Sequence, residues 1–244
     1  MNNIVQTTYY SFSDLTNIDK FDYQVCNGYL KLYNKAKEKS NPTILELGTN
    51  KGLSTLVFLQ ATAENGGRLY SVDIDSKFSD LTAAPEWTFI HSDSTDVAGI
   101  LSKHPALKDG IDILLIDSLH KKFHVEKELS GWWPYLNKDA IIIFDDVDSH
   151  IYRKNSRKDN IHFEFDWTEI REFVEELFYA NEDKLLLELH LGSTGYAIMT
   201  KRAERIGTLR REAISIRRTK SLFWINYIRL HNNFASFKRL IRGR

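Results

Sequence analysis

One cysteine, four prolines and no long uninterrupted apolar run set the first limits on this 244-residue chain. Cys26 has no second thiol, so an internal disulfide and a cysteine-based metal cluster are both excluded, and a reducing, cytoplasmic setting is the expectation. No stretch approaches the length of a membrane span. The opening residues, MNNIVQTTYYSFSDL, lack a basic start followed by an apolar core, so secretion is not expected. Internal repeats and low-complexity segments are missing too. With 42% hydrophobic and 27% charged residues the chain has enough apolar surface to fold, and its length suits one substantial α/β core with additions at the ends.

Net charge is also absent, with 33 Lys+Arg against 33 Asp+Glu, but the balance hides a division. Residues 201–244 carry 13 bases against Glu204 and Glu212, a net +11, and the preceding 200 residues carry −11. Between 203 and 242 the bases alternate with apolar residues such as Ile206, Leu222, Trp224, Ile228, Phe234 and Leu240, as in one or two amphipathic helices with a cationic face. Docking on the acidic body or self-association into a homo-oligomer is the first expectation. Contact with an anionic membrane surface, at its inner face, comes second. Nucleic acid ranks last, because no recognisable reader motif accompanies the charge.

The middle of the chain alternates short apolar runs with longer amphipathic ones, the pattern of βα units in a mostly parallel sheet. Strands are predicted at 43–47, 68–74, 87–91, 111–116, 140–144, 184–190 and 195–200. Only LGST separates the last two, too little for a helical crossover, so they form an antiparallel hairpin. Helices are predicted at 15–39, 53–64, 94–103, 121–131 and 167–179, the last capped by Asp166 with Glu169 as its capping-box partner. This divides the chain into an N-terminal helical cap (1–40), a core domain (41–202) and a basic helical tail (203–244).

The segment ILELGTNKGLST passes from a strand into a helix through Gly48 and Gly52. Glycine lets the backbone turn sharply and approach a ligand, and the helix start directs free N–H groups at it. Asn50 replaces the second glycine of a dinucleotide fingerprint, and Glu46 beside the loop would repel a pyrophosphate while suiting a cationic ligand. Asp73, ending the next strand, is placed to accept hydrogen bonds from two ribose hydroxyls, with Asp75 as the fallback. In HSDSTD, Ser92, Asp93 and Ser94 are candidates to face a nucleobase; Asp93 serves equally well as a turn residue.

The fourth strand ends LLIDSLH and the fifth IIIFDDVD, which brings Asp117, Asp145 and Asp146 to one end of adjacent strands. Three carboxylates together repel one another unless positive charge sits among them, and Mg²⁺, with its preference for oxygen ligands, meets that need while leaving positions for two vicinal substrate oxygens. The alternative is a loop cap and a solvated acid. His120 follows Asp117 by three residues, titrates near neutral pH and is the candidate general base, with Lys121 second. His124, one turn on, reads as helix surface, and Trp132 and Trp133 read as packing residues. The polar stretch 148–165 reads as a long loop over the site, with His150, Tyr152 and Arg153 as substrate contacts.

E-x-G-x-x-x-G, V-D-I-D, S-D-S, I-D-x-x-H and F-D-D-V, in this order at successive strand ends, resemble the class I methyltransferases. The likeness is to the small O-methyltransferases that include the macrocin, mycinamicin and cephamycin-type enzymes, and it covers roughly residues 40–200. It implies an α/β, Rossmann-like seven-stranded sheet, mostly parallel with a C-terminal antiparallel hairpin and helices on both faces. It implies S-adenosylmethionine held by Glu46, Gly48, Thr49, Asn50, Gly52, Asp73, Ile74, Ser92, Asp93, Ser94 and Asp117. It further implies Mg²⁺ on Asp117, Asp145 and Asp146, with the histidine of D-x-x-H as base, where catechol-type relatives carry lysine. The activity expected is O-methylation of a sugar, glycan or other vicinal-oxygen small molecule. A metal-independent enzyme, an RNA methyltransferase using the tail and an NAD-dependent oxidoreductase are the alternatives, the last leaving the acid cluster and the hairpin without a purpose.

Overall fold

Strand residues that alternate between two buried faces, such as Ile44 against Leu45 and Ile113 against Leu114, require a sheet covered on both sides, and a computed structural model of the chain has that form. It describes residues 6, 7, 9–148, 161–204, 207–210, 223, 226, 227 and 230, apart from the side chains of 161–167. The seven strands are β1 (Thr43–Leu47), β2 (Arg68–Asp73), β3 (Trp87–His91), β4 (Ile111–Ile116), β5 (Leu136–Asp145), β6 (Leu185–His190) and β7 (Tyr196–Lys201). They lie in the order β3-β2-β1-β4-β5-β7-β6. The first five are parallel, and β7 runs antiparallel to both β5 and β6, so the expected closing hairpin is present.

The helices are α1 (Phe12–Leu15), α2 (Tyr23–Lys37), α3 (Leu53–Asn65), α4 (Val97–Lys103), α5 (Lys122–Trp132) and α6 (Ile161–Ala180). One face of the sheet packs Ile44, Leu69, Ile113 and Ile143 against residues of α1, α2 and α3, among them Leu15, Leu32 and Phe58. The other packs Leu45, Val72, Leu114 and Phe144 against α4, α5 and α6, including Ile100, Leu129 and Phe173. Trp132 and Trp133 are both buried, as packing residues. Lys201 is buried as well. Its ammonium donates to the carbonyls of Trp133 and Leu136 and lies 4.4 Å from the Trp133 ring centroid, which satisfies the charge that burial would otherwise penalise.

Several helix ends differ from the sequence expectation. The helix predicted over 15–39 is two, because Asp22 accepts from the N–H of Gln24 and starts α2 there. Likewise Asp96 accepts from Gly99 and starts α4 at Val97. The last long helix covers Ile161–Ala180, so Asp166 lies inside it and not at its start, and residues 161–165, predicted as loop, are helical. Glu169 accepts from the backbone N–H of Lys122, 3.3 Å away, in place of its expected capping-box role.

The chain divides into two units, Met1–Ala213 and Ile214–Arg244. In the second, Phe223, Asn226, Tyr227 and Leu230 are helical, and Phe223, Tyr227 and Leu230 are exposed. Strand order reverses between β1 and β4, each of which has its sequence neighbours on the opposite side, so the crevice in which such sheets bind ligands opens at their carboxyl ends.

Candidate active site

The loop after β1 is shaped by three residues in left-handed conformation, Gly48 (φ +96°), Asn50 (φ 44°) and Gly52 (φ 75°). A Cβ on Gly48 would stand 2.0 Å from the carbonyl oxygen of Asp117, so only glycine lets the ends of β1 and β4 approach this closely. The Asp73 carboxylate braces the same loop, one oxygen accepting from the N–H groups of Thr49 (2.8 Å) and Asn50 (3.0 Å), the other from Asp75 (2.8 Å). Carboxylate oxygens have two lone pairs each, so Oδ1 keeps capacity for one further donor, such as a hydroxyl. Asp75 itself pairs with Lys77 and accepts from the Lys77 N–H, away from the cavity walls.

Two cavities open around this loop. The larger, about 460 Å³, runs past Gly48, Asn50, Asp73 and Ile74 to Ser92, Asp93 and Ser94, with Asp117, Ser118, Leu119, His120 and His124 on its other wall. Ile74 and Leu119 are large apolar side chains in its lining that are left exposed, at 75% and 47%. The smaller, about 130 Å³, is lined by Tyr29, Thr49, Lys51, Ser54, Asp145 and Tyr196 among others. Asn50 and Asp117 belong to both. The Thr49 hydroxyl is buried beside the smaller cavity without a hydrogen-bond partner among the described residues.

Glu46 departs from expectation. It is fully buried beneath the loop and lines neither cavity, because the hydroxyls of Ser54 (2.6 Å), Thr55 (2.7 Å) and Ser71 (2.5 Å) draw it inward. Burial raises its pKa to about 7 against the opposing pull of these three hydrogen bonds. Gly52 is likewise set back from both cavities; it opens α3 and packs under Leu81. Lys121 precedes α5 and is on neither wall.

The acids at the ends of β4 and β5 do converge, and His120 sits among them. Its Nε2 is 3.2 Å from Asp117 Oδ1 and its Nδ1 is 2.6 Å from Asp146 Oδ2. Burial works against a charged imidazole here, yet hydrogen bonds to Asp117 and Asp146 and their negative charge outweigh it and push the group up to about 11. At that value His120 carries a second proton at neutral pH, held between Asp117 and Asp146. Burial and the charges of Asp117 and Asp146 hold Asp145 well above the usual carboxylate range, and its carboxyl hydrogen-bonds to Asp117. Asp145 Oδ1 also accepts from Thr194 Oγ1 (3.1 Å) and from the Asp146 N–H (2.8 Å), with Asp146 itself at φ 58°. Among the described residues no three His, Cys, Asp or Glu side chains are arranged to hold a metal ion, because His120 already supplies the positive charge between Asp117 and Asp146.

His124 is the residue misjudged from sequence. Instead of facing solvent it forms part of the larger cavity's wall and lies 3.2 Å from Ser94 Oγ and 3.3 Å from Glu128 Oε1. His150, Tyr152 and Arg153 lie outside the described residues.

Residues 45–147 match the family described as "Methyltransferase domain". No curated protein gives a significant match. Among solved structures, the fold resembles the mycinamycin-pathway methyltransferase MycE in complex with Mg, SAH and mycinamycin VI (14% identity, TM-score 0.53, 81% of this chain and 53% of that one). It also resembles the SAH-bound methyltransferase PaMTH1 of Podospora anserina (13%, 0.56, 79% and 88%) and a candidate caffeoyl-CoA O-methyltransferase of Staphylococcus aureus (14%, 0.52, 72% and 83%). The chain spans about half the length of MycE. At these identities the likeness is one of fold.

Proposed function

We propose, from the premise that this chain carries a class I methyltransferase domain, that it transfers a methyl group from S-adenosylmethionine to a hydroxyl of a sugar, glycan or other small molecule with vicinal oxygens. The observation that carries this reading is that two cavities meet at Asn50 and Asp117, with the acid–histidine cluster beside the junction. Their residues suit the cofactor in parts. Asp73 can accept from a ribose hydroxyl, Ile74 and Leu119 suit the faces of a base, and Asp93 and Ser92 suit its polar edge. The unpartnered Thr49 hydroxyl and Lys51 suit a carboxylate, so the smaller cavity takes the amino-acid end. S-adenosylmethionine, when bound, supplies a methyl group on a cationic sulfur, which passes to the acceptor oxygen as the S–CH3 bond breaks.

What the protein must add is alignment, exclusion of water and a place for the hydroxyl proton. Asp117 stands at the junction of the two cavities, and its carboxylate favours a cationic neighbour over a neutral product. His120 holds a proton between Asp117 and Asp146; when the cationic sulfur of a bound S-adenosylmethionine competes for those carboxylates, His120 releases its Nε2 proton to solvent more readily, and the freed Nε2 can then take the acceptor's proton. Asp117, Asp145 and Asp146 carry the oxygen donors that Mg²⁺ prefers, but with His120 seated between Asp117 and Asp146 they are not arranged to hold it, and no step of this reading needs a metal.

Transfer of tritiated methyl from S-adenosylmethionine to a panel of sugars and vicinal diols tests the reading. Wild type is expected to label at least one acceptor, with turnover at least 100-fold lower in His120→Ala, in line with loss of a general base. No labelling of any acceptor, or full activity in His120→Ala, contradicts it. Equal turnover in Mg²⁺ and in chelator is expected; loss of turnover in chelator would show that the acids rearrange around a metal.

A further inference from the structure

Glu128 is a fully buried acid in the middle of α5, where an amphipathic helix would carry an apolar residue, and the chemistry above does not use it. Ser118 Oγ donates to its Oε1 at 2.5 Å, and His124 Nε2 lies 3.3 Å from the same oxygen. Ser94 Oγ completes the group, 3.2 Å from His124 Nε2, and it too hydrogen-bonds to Glu128. Glu128 Oε2 has no partner among the described residues. One buried carboxylate thus ties together the loop after β3, the loop after β4 and α5, and three of the residues it gathers, Ser94, Ser118 and His124, wall the larger cavity. The Ser94 end is fixed from behind as well, since Trp132 Nε1 donates to the Ser94 carbonyl at 3.0 Å.

Burying a carboxylate is costly unless it does something a leucine could not. Here it sets the orientation and tautomer of a cavity-wall histidine. Burial pushes the Glu128 carboxyl up, and a proton it gains has its place on the unpartnered Oε2; Oε1 remains an acceptor either way, so the ring nitrogen facing Oε1 and Ser94 carries hydrogen, and in the neutral ring the other nitrogen, Nδ1, must be an acceptor. No described residue hydrogen-bonds Nδ1. In the reading above, a nucleoside lying along this cavity places its ribose at Asp73, at the end of β2. Its base then lies one strand further out, at the end of β3, among Ser92, Asp93, Ser94 and His124.

We propose that His124 reads the exocyclic amine of adenine through an accepting Nδ1, and that Glu128 is the positioning residue that fixes His124 in that role. This rests on the assignment of the larger cavity to the nucleoside. A base with an amine at this edge donates to Nδ1, whereas a base with a carbonyl there presents a second acceptor to it and is rejected.

The test is calorimetric titration of the full chain with S-adenosylhomocysteine and with S-inosylhomocysteine, which differ at that edge of the base. Wild type is expected to bind the adenine compound at least about tenfold more tightly, the scale of one good hydrogen bond. In His124→Ala that ratio falls to within about threefold, chiefly through weaker binding of S-adenosylhomocysteine. Glu128→Gln, whose amide can donate towards His124, shifts the ratio the same way while His124→Ala, at a half-buried wall position, keeps the test independent of any folding defect in the Gln variant. A ratio unchanged in His124→Ala, including equal weakening of both compounds, means the network is only structural and overturns the proposal. Failure of wild type to bind either compound overturns the nucleoside assignment itself, and this proposal with it.

Discussion

An added methyl group at Gly48 would have to share space with the backbone of Asp117, 2.0 Å from its oxygen and 2.6 Å from its carbon, at a φ of +96°. Backbone atoms cannot step aside as a flexible side-chain tip can, so Gly48→Ala separates the ends of β1 and β4. The strained conformation alone costs about 1–3 kcal/mol. The variant is expected to lose about 2 kcal/mol or more in urea unfolding and at least tenfold in affinity for S-adenosylhomocysteine; wild-type values for both would show that the close approach is not what builds the site. Single residues at strand ends, Gly48, Asp73, Asp117, Asp145 and Asp146, were legible because each follows directly from an apolar run. Their charge state was not. His120 becomes an imidazolium only because Asp117 and Asp146 flank it on both ring nitrogens, and no spacing in the sequence states that. His124 and Glu128 are four apart on one helix, but whether that face meets solvent depends on where Ser94 comes to rest.

Glu46 belongs to the scale of elements, because it joins β1 to Ser71 on β2 and to Ser54 and Thr55 in the first turn of α3. Its pKa, about 7 in the folded chain, compares with 4.5 for a free glutamate. Below pH 4.5 the group is protonated in both states and contributes no pH dependence. Between 4.5 and 7 the unfolded chain releases its proton while the folded chain keeps it, so stability falls across that window, and the loss levels off above pH 7 at about 3 kcal/mol. Glu46→Gln is expected to lose less stability than wild type between pH 4.5 and 8 in urea unfolding; parallel profiles would mean that Glu46 ionises freely in place. All seven strands were readable, since short apolar runs bounded by turn residues have few other homes. Helix ends were less so: Asp22 and Asp96 act as caps, while Asp166, of the same residue type, lies within a helix.

Across the whole molecule, the reversal of strand order between β1 and β4 creates one crevice, and the chain lines it with the ends of five strands: the glycine loop from β1, Asp73 from β2, Ser92–Ser94 after β3, Asp117 after β4 and the acids of β5. Two cavities that would be unremarkable apart share Asn50 and Asp117, so a ligand spanning both has its midpoint beside the acid–histidine cluster. The −11 charge of the first 200 residues and the +11 of the remainder were visible in the sequence, whereas the convergence of Asp117, Asp145, Asp146 and His120 needed the fold. A crystal structure of the S-adenosylhomocysteine complex is the direct measurement. The sulfur is predicted at the Asn50–Asp117 junction, a ribose hydroxyl on Asp73 and the base against Ile74 and Leu119; a ligand seated elsewhere, or reversed so that its amino-acid end lies at Ser92–Ser94, would contradict the account.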